Sequence, residues 1–155
     1  SSHVKELKWI KPLLYKIQTQ RNDCLIEIYL DNKWRKYFRS ISRLKIIYPM
    51  DWETFYMDTS TRKVDIVLNP ILNSKFNRYR SPTKFFDTTR LGAVGIYSNL
   101  EPFSNFIQNN NDGILLENNI PYWIEKISYL LDNSDEREII FKNALKRFDN
   151  SLDIF

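Results

Sequence analysis

The sequence predicts an α/β fold, a Rossmann-like doubly wound parallel sheet, on two observations. Short runs of apolar, β-branched and aromatic residues alternate with longer stretches whose apolar positions recur at helical spacing. Such alternation implies parallel strands joined by helical crossovers. One stretch, residues 64–98, holds a whole βαβ unit: an apolar run (VDIVL), a polar and basic loop (69–80), a helix (82–91), a glycine turn and a second apolar run (93–97). Open α/β sheets bind ligands beyond the carboxyl ends of strands, at the amino ends of the following helices. The 69–80 loop is therefore where chemistry is first expected.

The chain of 155 residues has the size of one ordinary domain, able to bury roughly two-thirds of its unfolded surface. Its hydrophobic content of 43% is that of a globular protein, and no apolar run approaches the ~20 residues needed to span a bilayer. The opening SSHVKELKW has no apolar core of a signal peptide. A single cysteine, Cys24, rules out an internal disulfide and fits a reducing compartment. The net charge of +4 implies weak attraction to anions in general. Three glycines, Gly92, Gly95 and Gly113, are too few and too scattered for a Walker loop or a G-x-G-x-x-G fingerprint.

Residues 1–20 carry Val4, Leu7, Ile10, Leu14 and Ile17 on one helical stripe, with Ser1 or Ser2 as N-cap. Pro12 removes a donor and clashes with the preceding turn, so a kink or restart is expected at Lys11. Residues 24–30 (CLIEIYL) and 44–48 (LKIIY) read as strands covered on two faces. Between them, 32–43 is a basic, aromatic loop with a short helical turn. Residues 50–60 form a short helix opened by Asp51, with Trp52, Phe55 and Tyr56 as its buried side. After the central unit come a helix decaying into an asparagine-rich loop (100–113), a short strand (113–118), a helix over 120–131 with Pro121 in its first turn, and a helix over 134–148. Residues 149–155 read as a loosely docked end.

Lys75, Arg78, Arg80 and Lys84, with Ser74, Ser81 and Thr83, converge before and within a helix amino end, as a phosphate or diphosphate requires. Composition alone does not separate this from a solvated basic loop. Lys84 stands out, because a cation in a first helical turn opposes the helix dipole unless an anion is near. Asp87 lies one turn on, where it is either a ribose acceptor or an ordinary surface acid. The only histidine, His3, falls at a helix amino end, so a zinc site or a Ser-His-Asp triad built from this chain alone finds little support. Cys24 reads as a core residue, and the basic aromatic run 34–43 as a surface loop, with single-stranded nucleic-acid binding the weaker alternative.

Taken in order, VDIVLNP, the loop ending SPTKFFD, the turn LGAVGIYSN, the strand GILLEN and the closing helices with Trp123 and Asn143-Ala144 resemble the C-terminal, donor-binding half of GT-B glycosyltransferases. The similarity is to the large retaining group that uses nucleotide sugars, the group 1 or family-4-like enzymes. It implies that the chain is one half of a GT-B fold, a single domain lacking its first strand and the N-terminal acceptor domain. It implies transfer of a sugar from a nucleoside diphosphate to an acceptor hydroxyl, without cofactor or obligatory metal, in surface polysaccharide or glycan assembly. Lys84 and Arg80 would neutralise the diphosphate; Asp87 would hold the ribose, with Ser81 and Thr83 beside it. Tyr48 and Pro49 would lie by the base, and Ser2 and His3 in a phosphate-facing loop. The acid the family often places eight positions before Asp87 is here Tyr79, and the proline after its glycine turn is Val94-Gly95. The partners implied are a nucleotide-sugar donor and a glycan, lipid-linked or protein acceptor, not nucleic acid. The location implied is cytoplasmic or at the inner face of the membrane, with peripheral association. A non-catalytic α/β module, or another GT-B nucleotide-sugar enzyme such as an epimerase, is the alternative.

Overall fold

The structure, a computed structural model, describes residues 3–152. Its elements run α1 (Val4–Gln20), β1 (Ile26–Tyr29), β2 (Leu44–Ile47), α2 (Trp52–Thr61), β3 (Ile66–Asn69), α3 (Lys75–Arg78), α4 (Thr83–Arg90), β4 (Val94–Ser98), α5 (Phe103–Phe106), β5 (Ile114–Leu116), α6 (Ile120–Asp132) and α7 (Ser134–Leu152). All strand pairs are parallel. The mixed α/β, Rossmann-like fold class is thus the observed one. The chain divides into two compact units, Ser1–Tyr56 and Met57–Phe155, with the division inside α2.

The first unit pairs β1 with β2 in the register Ile26↔Leu44 to Tyr29↔Ile47. That register sets Glu27 beside Lys45, whose charged ends are 3.5 Å apart. Glu27 and Lys45 share their face with Tyr29 and Ile47, and of the eight residues only Ile47 is buried. The expectation of two covered faces fails here for that reason. α1 runs through Pro12 without a break, so no restart occurs at Lys11. Proline deletes one donor, whereas the buried side of Ile10, Leu13, Leu14 and Ile17 continues past it. Ser1 and Ser2, expected as caps, lie outside the described residues; His3 occupies the cap position. A short 3-10 turn, Asn32–Trp34, is capped by Asp31, which accepts from the Lys33 amide.

α2 starts where Asp51 accepts from the amide and hydroxyl of Thr54, at 2.9 and 2.8 Å. These donors hold the Asp51 carboxyl below its ordinary pKa. Its expected buried side is not buried: Trp52 and Tyr56 are exposed, Trp52 packs with both Tyr56 and the half-buried Phe55, and Thr59 is the residue the helix buries.

The second unit contains the three-stranded sheet β3-β4-β5. All five residues of β4 are buried, as a central parallel strand demands. Phe85 of α4, Tyr97, Phe103, Ile107, Ile71 and Ala144 of α7 form one core cluster. Trp123, Ile127 and Leu130 supply the buried side of α6. The glycine turn before β4 is real: Gly92 takes φ 70°, the left-handed conformation glycine accepts most readily. The expected 69–80 loop contains α3, because Ser74 caps it by accepting from the Asn77 amide. The helix foreseen after β4 shrinks to α5, and α7 continues four residues beyond Phe148. Residues 153–155 lie outside the described part.

Candidate functional site

Parallel registers bring the carboxyl ends of β3, β4 and β5 to one edge of the sheet, where Asn69 pairs with Tyr97 and Ser98 with Leu116. The edge is locked by side chains. The Ser98 hydroxyl accepts from the Ile71 amide at 2.9 Å and bonds the Asn118 carboxamide oxygen at 2.6 Å. Asn118 Nδ2 in turn donates to the Ile71 carbonyl at 2.8 Å. The loop after β3 is thereby tied to β4 and to the loop after β5.

Beyond this edge lies an open cleft of about 320 Å³. Leu72, Asn73, Ser74, Asn77 and Arg78 form one wall, from the loop after β3 and from α3; Asn99, Leu100, Glu101 and Ser104 form the other, after β4. Asn77 is buried and braces its wall, donating from Nδ2 to the Leu72 carbonyl at 2.7 Å. Arg78 donates to Asn73 Oδ1 at 3.2 Å. Opposite, Asn99 Nδ2 donates to Glu117 at 2.8 Å. Carboxamides, hydroxyls, one cation and one carboxylate make a lining suited to a hydroxyl-rich polar ligand, since each of these groups can accept or donate to a vicinal diol.

Of the residues singled out from the sequence, Ser74 and Arg78 belong to that lining and the others stand apart from it. On α4, Lys84 Nζ is 3.4 Å from Asp87 Oδ2, and Arg90 Nη2 is 2.5 Å from Asp87 Oδ1. Arg90 also donates to Thr59 at 3.3 Å. Asp87 is therefore a half-buried carboxylate between two cations, and its helix begins at Pro82 with no side-chain cap. Ser81 and Thr83 are exposed on the approach to α4. Arg80 lies over the ring of Phe76, 5.7 Å from its centroid. Of the four basic residues expected to converge, Arg78 alone lines the cleft. Tyr79 is among the most exposed side chains, at 85%. In the first unit, Tyr48 and Pro49 are exposed just past β2, and the His3 carbonyl accepts the Leu7 amide at 3.0 Å. Ser2 lies outside the described residues. Cys24 is a half-buried free thiol preceding β1.

Behind the edge, a buried hydrogen bond fastens α4 to the sheet. Asn69 Nδ2 donates to Thr88 Oγ1 at 3.2 Å. Burial raises the Tyr97 phenol well above its ordinary pKa. Asn69, Ser98, Asn99 and Ser104 carry no charge, so residue type alone does not mark them in the sequence. The signal was present in position: the residues after β4 are as favoured by topology as those after β3.

Among the described residues no group of three His, Cys, Asp or Glu side chains is placed to hold a metal, and no helix is long and apolar enough to cross a membrane. No protein-family model and no curated protein sequence matches the chain. Solved structures do match. A glycosyltransferase from Rickettsia africae ESF-5 is similar at TM-score 0.64 and 14% identity, over 91% of this chain and 39% of that one. The GtfA/B complex is similar at TM-score 0.64 and 13% identity, over 96% of this chain and 30% of that one. This is a glycosyltransferase-like fold. The chain spans well under half the length of either structure.

Proposed function

We propose that this chain is the donor-binding half of a GT-B glycosyltransferase, holding a nucleoside-diphosphate sugar whose sugar passes to an acceptor hydroxyl. The observation that carries the reading is the polar cleft at the carboxyl edge of β3 and β4, where a Rossmann-like sheet takes its ligands. Its carboxamides and hydroxyls suit a sugar. α4 begins close by in sequence, with Lys84 in its first turn.

On this reading Lys84 and Arg80 neutralise the leaving diphosphate, a form of electrostatic stabilisation that is often the largest catalytic contribution. Ser81 and Thr83 offer hydroxyls beside it, and Asp87 accepts from the ribose. Tyr48 and Pro49 serve the base, and Ser2 and His3 the phosphates. Tyr79, standing where the family often has an acid, leaves sugar recognition to Asn77 and its neighbours in the cleft. The enzyme would need no metal, and would act in the cytoplasm or at the inner membrane face in surface polysaccharide or glycan assembly.

Calorimetry with UDP, GDP and TDP tests the reading. At least one should bind the wild type, and Lys84→Ala should weaken it by about tenfold, the loss of one charge-assisted contact of ~1.5 kcal/mol. Failure of all three nucleotides to bind would overturn it. One observation favours a non-catalytic module instead: Asp87 already has two cationic partners within the fold. In that case Asp87→Asn would lower stability and leave no nucleotide affinity to lose.

A further inference from the structure

Outside the cleft, the positive charge of the chain is concentrated in one unit. Residues 1–56 hold eleven Lys and Arg against six Asp and Glu, or +5, while residues 57–155 hold twelve against thirteen, or −1. Three of the eleven are engaged by the fold itself. Arg21 lies 2.7 Å from Asp23, Lys45 pairs with Glu27, and Arg43 donates to the carbonyls of Cys24, Gln18 and Arg21.

Four others, Lys11, Lys33, Lys36 and Arg39, meet around an open depression of about 600 Å³ completed by Trp34, Tyr37 and Ser40. No carboxylate lines it. The nearest ion pair, Lys33 with Asp31, is a 3.8 Å contact between two well-exposed side chains, which screening leaves weak. The base of the depression is built. Phe38 is buried, Tyr37 packs edge-to-face on it at 5.1 Å, and Trp34 packs edge-to-face on Tyr37 at 5.7 Å. Lys11 Nζ stands 4.1 Å from the centroid of the Tyr37 ring. Amides of Tyr37 and Phe38 donate to the Trp34 carbonyl, holding the segment in a tight turn.

Like charges gathered without acids repel one another, and a multivalent anion turns that repulsion into attraction. A rigid aromatic base with cations around its rim therefore points to a ligand rather than to solvation. A track for single-stranded nucleic acid needs a row of open ring faces. Here Tyr37 has Lys11 over its ring and meets Trp34 edge to face, so that requirement is not met.

We propose that this depression is a second binding site, for a ligand carrying two or more negative charges on phosphate. The ligand is presented either as a lipid headgroup or as a soluble diphosphate. The inference does not need the nucleotide reading, whose cleft and α4 belong to the other unit.

The test uses the full 155-residue chain. Co-sedimentation with cardiolipin vesicles, whose headgroup carries two phosphates, is compared with neutral phosphatidylcholine vesicles, alongside calorimetry with inorganic diphosphate, each at low and high salt. We expect binding in the vesicle arm, the diphosphate arm or both, weakened by salt and absent with phosphatidylcholine. Vesicle binding alone assigns a lipid headgroup; diphosphate binding assigns the soluble form. Lys36→Glu with Arg39→Glu should weaken binding by about tenfold or more, each near-surface cation contributing about 1 kcal/mol. Lys36→Gln with Arg39→Gln serves if charge reversal unfolds the chain, as a thermal melt would reveal. The diphosphate arm is run on Lys84→Ala as well as on the wild type, and the binding that survives Lys84→Ala but is lost in the double variant belongs to this depression. Absence of binding in both arms, binding unchanged in a folded double variant, or tighter capture of an oligothymidylate than of diphosphate would each overturn the proposal.

Discussion

Tyr97 shows how one residue shapes the ground beneath the site. Its ring lies across Gly95 so closely that a Cβ there would sit 2.3 Å from three ring and hydroxyl atoms. Gly95→Ala should therefore force the ring or the strand to move and cost roughly 1–3 kcal/mol, as overpacked cores do; urea denaturation measures it. The Tyr97 phenol adds a pH dependence. Burial holds it protonated in the fold, whereas in the unfolded chain it ionises near its ordinary value of about 10. Its contribution is fully present below that value. Above it the unfolded state loses a proton that the native state keeps, so stability should fall with rising pH by up to about 1.4 kcal/mol per unit. Tyr97→Phe should flatten this alkaline slope relative to the wild type in urea titrations between pH 8 and pH 11, roughly the span over which a free phenol ionises. An equal slope in both proteins would show that other groups carry the dependence.

Among the elements, the strands were legible because apolar and β-branched runs admit few other readings. Each predicted strand exists; β4 keeps its five residues, shifted by one, and the others are shorter by a residue or more. Faces were less legible. The pairing of Glu27 with Lys45 depends on register, and the exposed Trp52 and Tyr56 follow a helical stripe that the fold leaves uncovered. Long-range ties were not legible at all. Asp112, buried in the asparagine-rich loop, accepts from the Gln108 amide at 2.8 Å and pairs with Arg147 of α7, 35 positions away. Arg147 also stacks on Phe106, 4.0 Å from its centroid. Arg147→Met keeps most of the packing but leaves the carboxylate without its cation, so we expect a loss of about 2–4 kcal/mol by thermal or urea denaturation. Asp112→Asn, which neutralises the orphaned charge, should restore part of that loss in the double variant. No recovery would mean that the bond is not what secures α7 to the loop.

At the scale of the whole molecule, the place of the site was legible where its membership was not. Parallel topology singles out the carboxyl edge of β3 and β4 before any side chain is considered, and the cleft is there. Charge then drew attention to Lys84, Asp87 and Arg80, while the lining is mostly uncharged: Asn73, Ser74, Asn77, Asn99 and Ser104. A donor half supplies binding and stabilises a leaving group; placing the acceptor hydroxyl needs further surface. The two similar structures are more than twice this chain's span, since it covers 39% and 30% of them. If our reading is right, the chain alone should bind a nucleoside diphosphate and yet transfer no sugar from the matching nucleotide sugar, beyond slow release to water. Nucleotide release followed with a coupled assay, beside calorimetry on the same preparation, decides this. Binding with turnover at background rate is the expected pair of results. Robust transfer to an added acceptor would show that these residues hold a complete active site, and would move the search for an acceptor base to Glu101, the carboxylate that lines the cleft.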